Sequence, residues 1–241
     1  MYVNTRPYIV LNNRTSRLIK GLIISELPPI SKPKVRTKIE TVDGRDGDLV
    51  TVLGYSAYDK TVKIALTYDY DIDDIISFFS TSGVVTFSNE PEKYYKYAIY
   101  NQIDFERLLR FKTAEVTFHV QPFKYAESES ERSYTFTDPD PELVIRDNGN
   151  IYSRPRISIT GSGEIGLSIN DIEILTIRLG SNQTIIIDGE TMNATSSDGD
   201  TLLNRLVTGN YDNIKLNVGS NKLSFTGSVS RISIANYSRW I

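Results

Sequence analysis

Residues 114–121 read AEVTFHVQ, and this stretch decides the fold class. Apolar and polar side chains alternate along it, so the four even-numbered residues form one apolar face: Ala114, Val116, Phe118 and Val120. A period of two is typical of strands in antiparallel sheets with one buried side and one solvated side. The same alternation recurs at 62–66, 157–159, 165–169, 214–218 and 223–225. The sequence therefore predicts a mainly β protein.

Two segments have helical spacing instead. Apolar residues at 72, 75, 76 and 79 follow the capping candidates Asp71 and Asp73, and Gly83 is placed to end this helix. A second, shorter pattern begins after Asp200 and closes at Gly209. We expect helical accessories on a β architecture.

The turn signals between the strands are Asp188-Gly189 and the stretches 161–163 and 219–221. Residues 161–166 (GSGEIG) match the dinucleotide-binding pattern, but that site needs a helix directly after the glycines. Because 165–169 alternate as a strand, we predict a plain hairpin turn there. The apolar face also switches between Val229 and Ile232, which predicts either a β-bulge or a break between two strands.

A charged, serine-rich stretch at residues 127–132 (ESESER) marks a domain boundary. The pairs Asp138-Pro139 and Asp140-Pro141 follow, and neither proline fits a central strand. We predict two β-sandwich domains at 1–130 and 131–241, the first with one helix and a protruding hairpin.

Composition excludes several classes of protein and of chemistry. The 241 residues include 27 Lys+Arg and 30 Asp+Glu, a formal charge of −3 without basic blocks, which argues against specific nucleic-acid binding. No apolar run approaches the roughly 18 residues of a membrane span. The chain has no cysteine, so thiolate chemistry and disulfides are excluded.

Candidate catalytic and metal sites are weak. His119 is the only histidine and lies on the polar face of its strand, where it is poorly placed for a triad. Asp69, Asp71 and Asp73 have calcium-loop spacing, but Asp74 and Ser80 replace the glycine and glutamate of such a loop. We predict no enzyme, no cofactor and no metal.

Residues 28–53 read as a hairpin, here called the arm, joined to its domain through Pro28, Pro29 and Pro33. The pattern predicts a strand at 35–42, a turn rich in Gly and Asp, and a return strand at 49–53. Both strands carry apolar side chains that would be exposed to solvent if the hairpin had no partner. We expect these side chains to contact a neighbouring subunit, although a hairpin folded back on its own domain stays open. The predicted interface residues are Val35, Ile39, Val42, Arg45, Asp46, Leu49 and Val52.

A second function stays open on the residues alone. Tyr94, Tyr95, Tyr97 and Tyr100 form a strand-like run that could stack on sugars, which would suit a module recognising cell-wall polysaccharide. Aromatic residues of this kind are more often strand formers that pack on one face.

Several motifs together resemble siphophage distal tail (Dit) proteins. In the first half these are Leu22-Ile23-Ile24 with Glu26-Leu27-Pro28-Pro29, then 44–49 (GRDGDL), Phe78-Phe79, Ser82-Gly83, 87–91 (FSNEP), Tyr94-Tyr95, 114–118 (AEVTF) and 121–125 (QPFKY). In the second half they are 148–150 (NGN), 154–157 (RPRI), 161–163 (GSG) and 219–221 (GSN). The resemblance covers nearly the whole chain.

The resemblance implies a structural hub at the tail tip of a phage or prophage, assembled in the host cytoplasm. It implies a homohexameric ring formed by the first domain, and a galectin-like, jelly-roll second domain. The implied partners are the tail tube protein, a tail-tip lysin-like hub protein and receptor-binding or adhesin proteins, with no membrane and no nucleic acid bound specifically.

Overall fold

The computed structural model describes residues 6–127, 129–235 and 238–241. It contains two compact units, Met1–Glu127 with Ile241 and Ser128–Trp240. Position 128, inside the predicted linker, lies outside the described residues. The prediction of a mainly β protein is confirmed. In the described part of the chain, no helix is both long and apolar enough to cross a bilayer.

The first unit is built on one antiparallel sheet with the order β2-β1-β7-β8-β9-β6-β3. The strands of this sheet are β1 (Ile9–Leu11), β2 (Arg14–Thr15), β3 (Leu22–Glu26), β6 (Tyr58–Leu66), β7 (Ser82–Phe87), β8 (Lys93–Ala98) and β9 (Thr113–Ala126). The two other strands of the unit, β4 (Val35–Thr41) and β5 (Asp48–Tyr55), form a separate sheet. β6 and β9 pair in register from Tyr58↔Val120 to Ala65↔Thr113. This register places Val62, Ile64, Val116 and Phe118 in one core.

Two short helices accompany this sheet, α1 (Ile72–Phe78) and α2 (Phe105–Phe111). The first confirms the prediction, since the Asp71 carboxylate accepts from the amides of Asp73 and Asp74 and caps the helix. The predicted end at Gly83 is wrong, because α1 ends at Phe78 and Gly83 lies in β7.

The prediction of one helix in this domain is also wrong, since it missed α2. Asp104 caps α2 through the amide of Arg107, and Lys112 ends it in a left-handed conformation. No glycine marks that end, so the usual stop signal was absent.

The second unit contains three long strands and five shorter ones. The strands are β10 (Arg132–Thr135), β11 (Glu142–Asp147), β12 (Arg156–Ile169), β13 (Ile172–Asp188), β14 (Asn193–Ser196), β15 (Val207–Gly209), β16 (Gly219–Ala235) and β17 (Arg239–Trp240). The sheet order is β10-β16-β12-β13-β14, with β11 on β16 and β15 on β13. Both halves of each long strand contribute to one core, consistent with a β-sandwich.

Residues 161–163 do not form the predicted hairpin turn. They lie inside β12, where the register against both neighbours shifts, so the glycines form a bulge in a continuous strand. The predicted bulge in β16 is confirmed, because Thr160 faces Arg231 and Gly161 faces Val229. The turn at Asp188-Gly189 is confirmed, whereas 219–221 begin β16.

The predicted helix after Asp200 is wrong. Only a single 3-10 turn forms, at Asn204–Leu206, and Val207–Gly209 pairs as β15 with β13. The strand-like pattern at 214–218 makes one isolated bridge, Ser153↔Leu216, while Ile214 and Leu216 are buried.

Candidate assembly interface

The arm forms a two-stranded sheet of its own. β4 and β5 pair antiparallel from Val35↔Tyr55 to Thr41↔Asp48, and among the described strands they pair only with each other. Gly44 and Gly47 adopt φ of +81° and +78° in the connecting turn. Glycine reaches these left-handed angles without strain, which explains the two glycines between the strands.

The register gives the arm two distinct faces. Directly paired residues share a face, so Ile39 with Val50 and Thr37 with Val52 form what we call the apolar face. Ile39, Val50 and Val52 are 60, 55 and 64% exposed. A contiguous, solvent-exposed apolar patch of this kind is typical of a surface that binds another protein.

The opposite side, here the polar face, consists of Lys38, Glu40, Thr51 and Leu49. Lys38 Nζ lies 2.7 Å from Glu40 Oε1 on this side. One leucine among polar groups is ordinary surface composition. Ile39, Val50 and Val52 therefore lie together on one face of the arm, and Leu49 lies on the other.

Side chains of the first unit fix the base of the arm at residues 28–34. Lys60 Nζ donates to the carbonyl of Pro29 at 2.8 Å, and Asn89 Nδ2 donates to the carbonyl of Pro28 at 3.0 Å. The Tyr55 ring packs edge-on against Phe123 with centroids 5.5 Å apart. These contacts set the direction in which the arm leaves its domain.

A buried charge cluster supports that anchor. Lys124 Nζ donates to Glu90 Oε1 at 2.8 Å, and the Tyr95 hydroxyl donates to Glu90 Oε2 at 2.7 Å. Lys60 Nζ lies 5.0 Å from the centre of the Tyr95 ring. Lys60 and Lys124 are only 3 and 6% exposed, so each depends on these partners for its charge to be tolerated.

The cluster shifts the titration of its members. Burial lowers the pKa of Lys60 from 10.5 to about 8, against the raising effect of Glu90. For Glu90, burial favours the neutral acid, but the hydrogen bonds from Lys124 and Tyr95 outweigh it and lower the pKa. Burial and the bond to Glu90 raise the pKa of Tyr95. At neutral pH Lys60 is therefore mostly an ammonium group, Glu90 is a carboxylate and Tyr95 is neutral.

The seven residues predicted for the interface occupy different parts of the arm. Ile39 and Val52 lie on the apolar face, and Leu49 lies on the polar face opposite Glu40. Val35 is half-buried at the base. Val42, Arg45 and Asp46 belong to the exposed turn. Because Ile39 and Val52 are solvated, the alternative of a hairpin folded back on its own domain is wrong.

Sequence reasoning missed Val50 and the anchoring cluster. Val50 pairs with Ile39, and counting outward from the turn would have found it. Lys60 lies at an even-numbered position like the other buried residues of β6, and Lys124 lies at an even-numbered position like all the other buried residues of β9 except Tyr125. This shared position in the alternation was the signal for their burial.

The tyrosine run does not form a sugar-stacking platform. Tyr95 and Tyr97 are 0 and 5% exposed and pack in the core, and Tyr94 stacks on Tyr125 at 5.4 Å. Of the four tyrosines only Tyr100 is largely exposed, at 75%. The sequence basis for a carbohydrate-binding module is thereby weakened.

No metal cluster of three or more His, Cys, Asp or Glu occurs among residues 6–127, 129–235 and 238–241. The aspartates with calcium-loop spacing have other roles. Asp71 caps α1, and Asp69 pairs with Lys20 Nζ at 2.6 Å. His119 Nδ1 lies 2.8 Å from Asp59 Oδ1 on the polar side of the sheet.

The sequence matches no family model and no curated protein. Two solved phage structures share its fold. The Dit protein of phage SPP1, a hub of the adsorption apparatus, superposes with a TM-score of 0.64 and 15% identity over 96% of this chain and 99% of that one. A chain of the phage P2 baseplate superposes with a TM-score of 0.51 and 12% identity over 95% of this chain and 97% of that one. The chain therefore has a Dit-like phage hub fold.

Proposed function

We propose that this chain is a structural hub of a siphophage or prophage tail tip, in which six copies form a ring through the arm. The observation that carries the proposal is an anchored arm with a solvated apolar face, on a fold shared with phage hub proteins. In a ring, each copy contacts the next through the same pair of dissimilar surfaces, and the contact repeats until the ring closes.

In this role the ring connects the tail tube protein to a tail-tip lysin-like hub protein, and the second domain carries receptor-binding or adhesin proteins. The place of action is the virion tail tip, after assembly in the host cytoplasm. The role is mechanical and needs no catalytic group. The fold shared with the adsorption-apparatus hub of phage SPP1 supports this assignment.

Replacing residues 31–52 with a short Gly-Ser linker tests the proposal. Neither hydrophobic core contains a residue of 31–52, so the variant should fold cooperatively and stay soluble. Without the arm it should be a monomer, because permanent interfaces usually bury about 2,000 Å² or more. A variant that still forms hexamers at micromolar concentration would show that another surface holds the ring.

A further inference from the structure

We propose that the outer face of α2 is the docking site for the arm tip of a second copy of this chain. The proposal rests on the proposed ring and names the surface that receives the arm. The arm tip is defined here as residues 42–49, and the α2 face as the exposed side chains of residues 104–111.

The α2 face combines apolar surface with positive charge. Of the seven helical residues only Leu108 is buried, while Phe111 is 64% exposed. Arg107, Arg110 and Phe111 follow i, i+3, i+4 spacing and therefore share one side of the helix. With Asp104 and Glu106 they line an open concavity of about 430 Å³.

The two arginines are available for a partner. In the described part of the chain, neither Arg107 nor Arg110 forms a salt bridge. The Arg110 guanidinium lies 5.5 Å from the Phe111 ring centre. Arginine beside an exposed aromatic ring is the composition enriched at the centres of protein interfaces.

Charge along α2 is separated by position. Asp104 caps the helix and Glu106 lies in its first turn beside Arg107, whereas Arg110 lies in the last turn and Lys112 follows as the C-cap. The Phe111 end of the face therefore presents the positive charge. A ligand for that end has to be apolar and acidic.

The arm tip has that chemistry. The arm tip has a formal charge of −2, since it contains three carboxylates and one guanidinium: Asp43, Asp46, Asp48 and Arg45. Val42 and Leu49 flank them and are 45 and 41% exposed. An apolar, acidic tip thus matches an apolar, basic helix face, and opposed potentials of this kind fix the register of an interface.

Charge reversal tests the pairing in the full chain. The double variant Arg107→Glu with Arg110→Glu should raise the dissociation constant of the ring contact by about tenfold or more, because like charges then face each other. Asp43→Lys with Asp46→Lys should do the same. Combining all four changes should bring the dissociation constant back to within about threefold of the wild-type value, since the opposed charges are exchanged. The matched control, Arg132→Glu with Arg205→Glu, changes two exposed arginines of the second unit and should leave assembly unchanged.

Sedimentation velocity over a concentration series measures each effect. If the α2 reversal assembles like the wild type while the arm deletion does not, the docking site is wrong and the ring proposal stands. The pairing of the arm tip with α2 is also wrong if each double variant fails to assemble and the variant with all four changes fails as well. If the wild type itself never assembles, both the ring and its docking site are wrong.

Discussion

Replacing the apolar face of the arm with serine should dissociate the ring without unfolding the protein. Ile39, Val50 and Val52 expose more than half of their surface in the single chain. Full burial of such a side chain is worth about 1.5–3 kcal/mol, so covering the exposed part of all three contributes about 3–5 kcal/mol per interface. Ile39→Ser, Val50→Ser and Val52→Ser together should therefore weaken each contact about a hundredfold or more.

The assay is sedimentation velocity of the triple variant beside a matched control. The control carries Lys38→Ser, Glu40→Ser and Thr51→Ser on the polar face, with the same backbone and the same number of changes. The apolar-face variant should sediment as a monomer with an unchanged melting temperature, and the control should assemble like the wild type. Equal loss of assembly in both variants, or in neither, would refute the assignment of faces.

Three further predictions address the fold and the anchor. Lys60 binds its proton more weakly in the folded state, with a pKa of about 8 against 10.5, so stability should rise as pH increases. Between pH 7.5 and 9 the rise should be about 1 kcal/mol by urea denaturation, and Lys60→Met should lack it. Gly227 has φ +91° and a Cβ there would lie 2.3 Å from the Glu164 carbonyl oxygen, so Gly227→Ala should cost about 3 kcal/mol. Gly199→Ala, at φ +83° in open space, should cost only about 1 kcal/mol, and similar losses at both sites would count against a backbone clash. Residues 128–241 alone should unfold cooperatively on heating, because that unit has its own core, and a non-cooperative melt would argue against independent domains.

The alternation of side chains predicted the strands because burial on one face of a sheet imposes a period of two. β6 follows that rule throughout, and β9 follows it from Thr113 to Val120. The rule was applied to apolar residues only, so Lys60 and Lys124 were not recognised at buried positions of the same strands. Glu90, which lies outside both strands, bonds to Lys124 and favours the charged form of Lys60, and a sequence pattern does not reveal such a partner.

The glycines at 161–163 show a different limit. A strand that bends at a bulge and two strands joined by a turn have the same local composition. The difference lies in β16, whose matching register shift accepts the bulge, and that pairing is distant in sequence. α2 was missed for a local reason, since Lys112 takes the left-handed cap position that glycine usually marks.

The arm could be predicted as a hairpin from its prolines, strands and turn. Its two faces follow from the register that the turn sets, which pairs Ile39 with Val50 and Thr37 with Val52. The register shift near Leu53, which pairs Arg36 with Gly54 at the base of the arm, could not be predicted from the sequence pattern.

The native mass of the purified full chain tests the central claim most directly. A ring of six 27.2 kDa copies has a mass of about 163 kDa, and native mass spectrometry at micromolar concentration should find that species. A single species of 27.2 kDa across the whole concentration range would contradict the claim that the arm builds a ring.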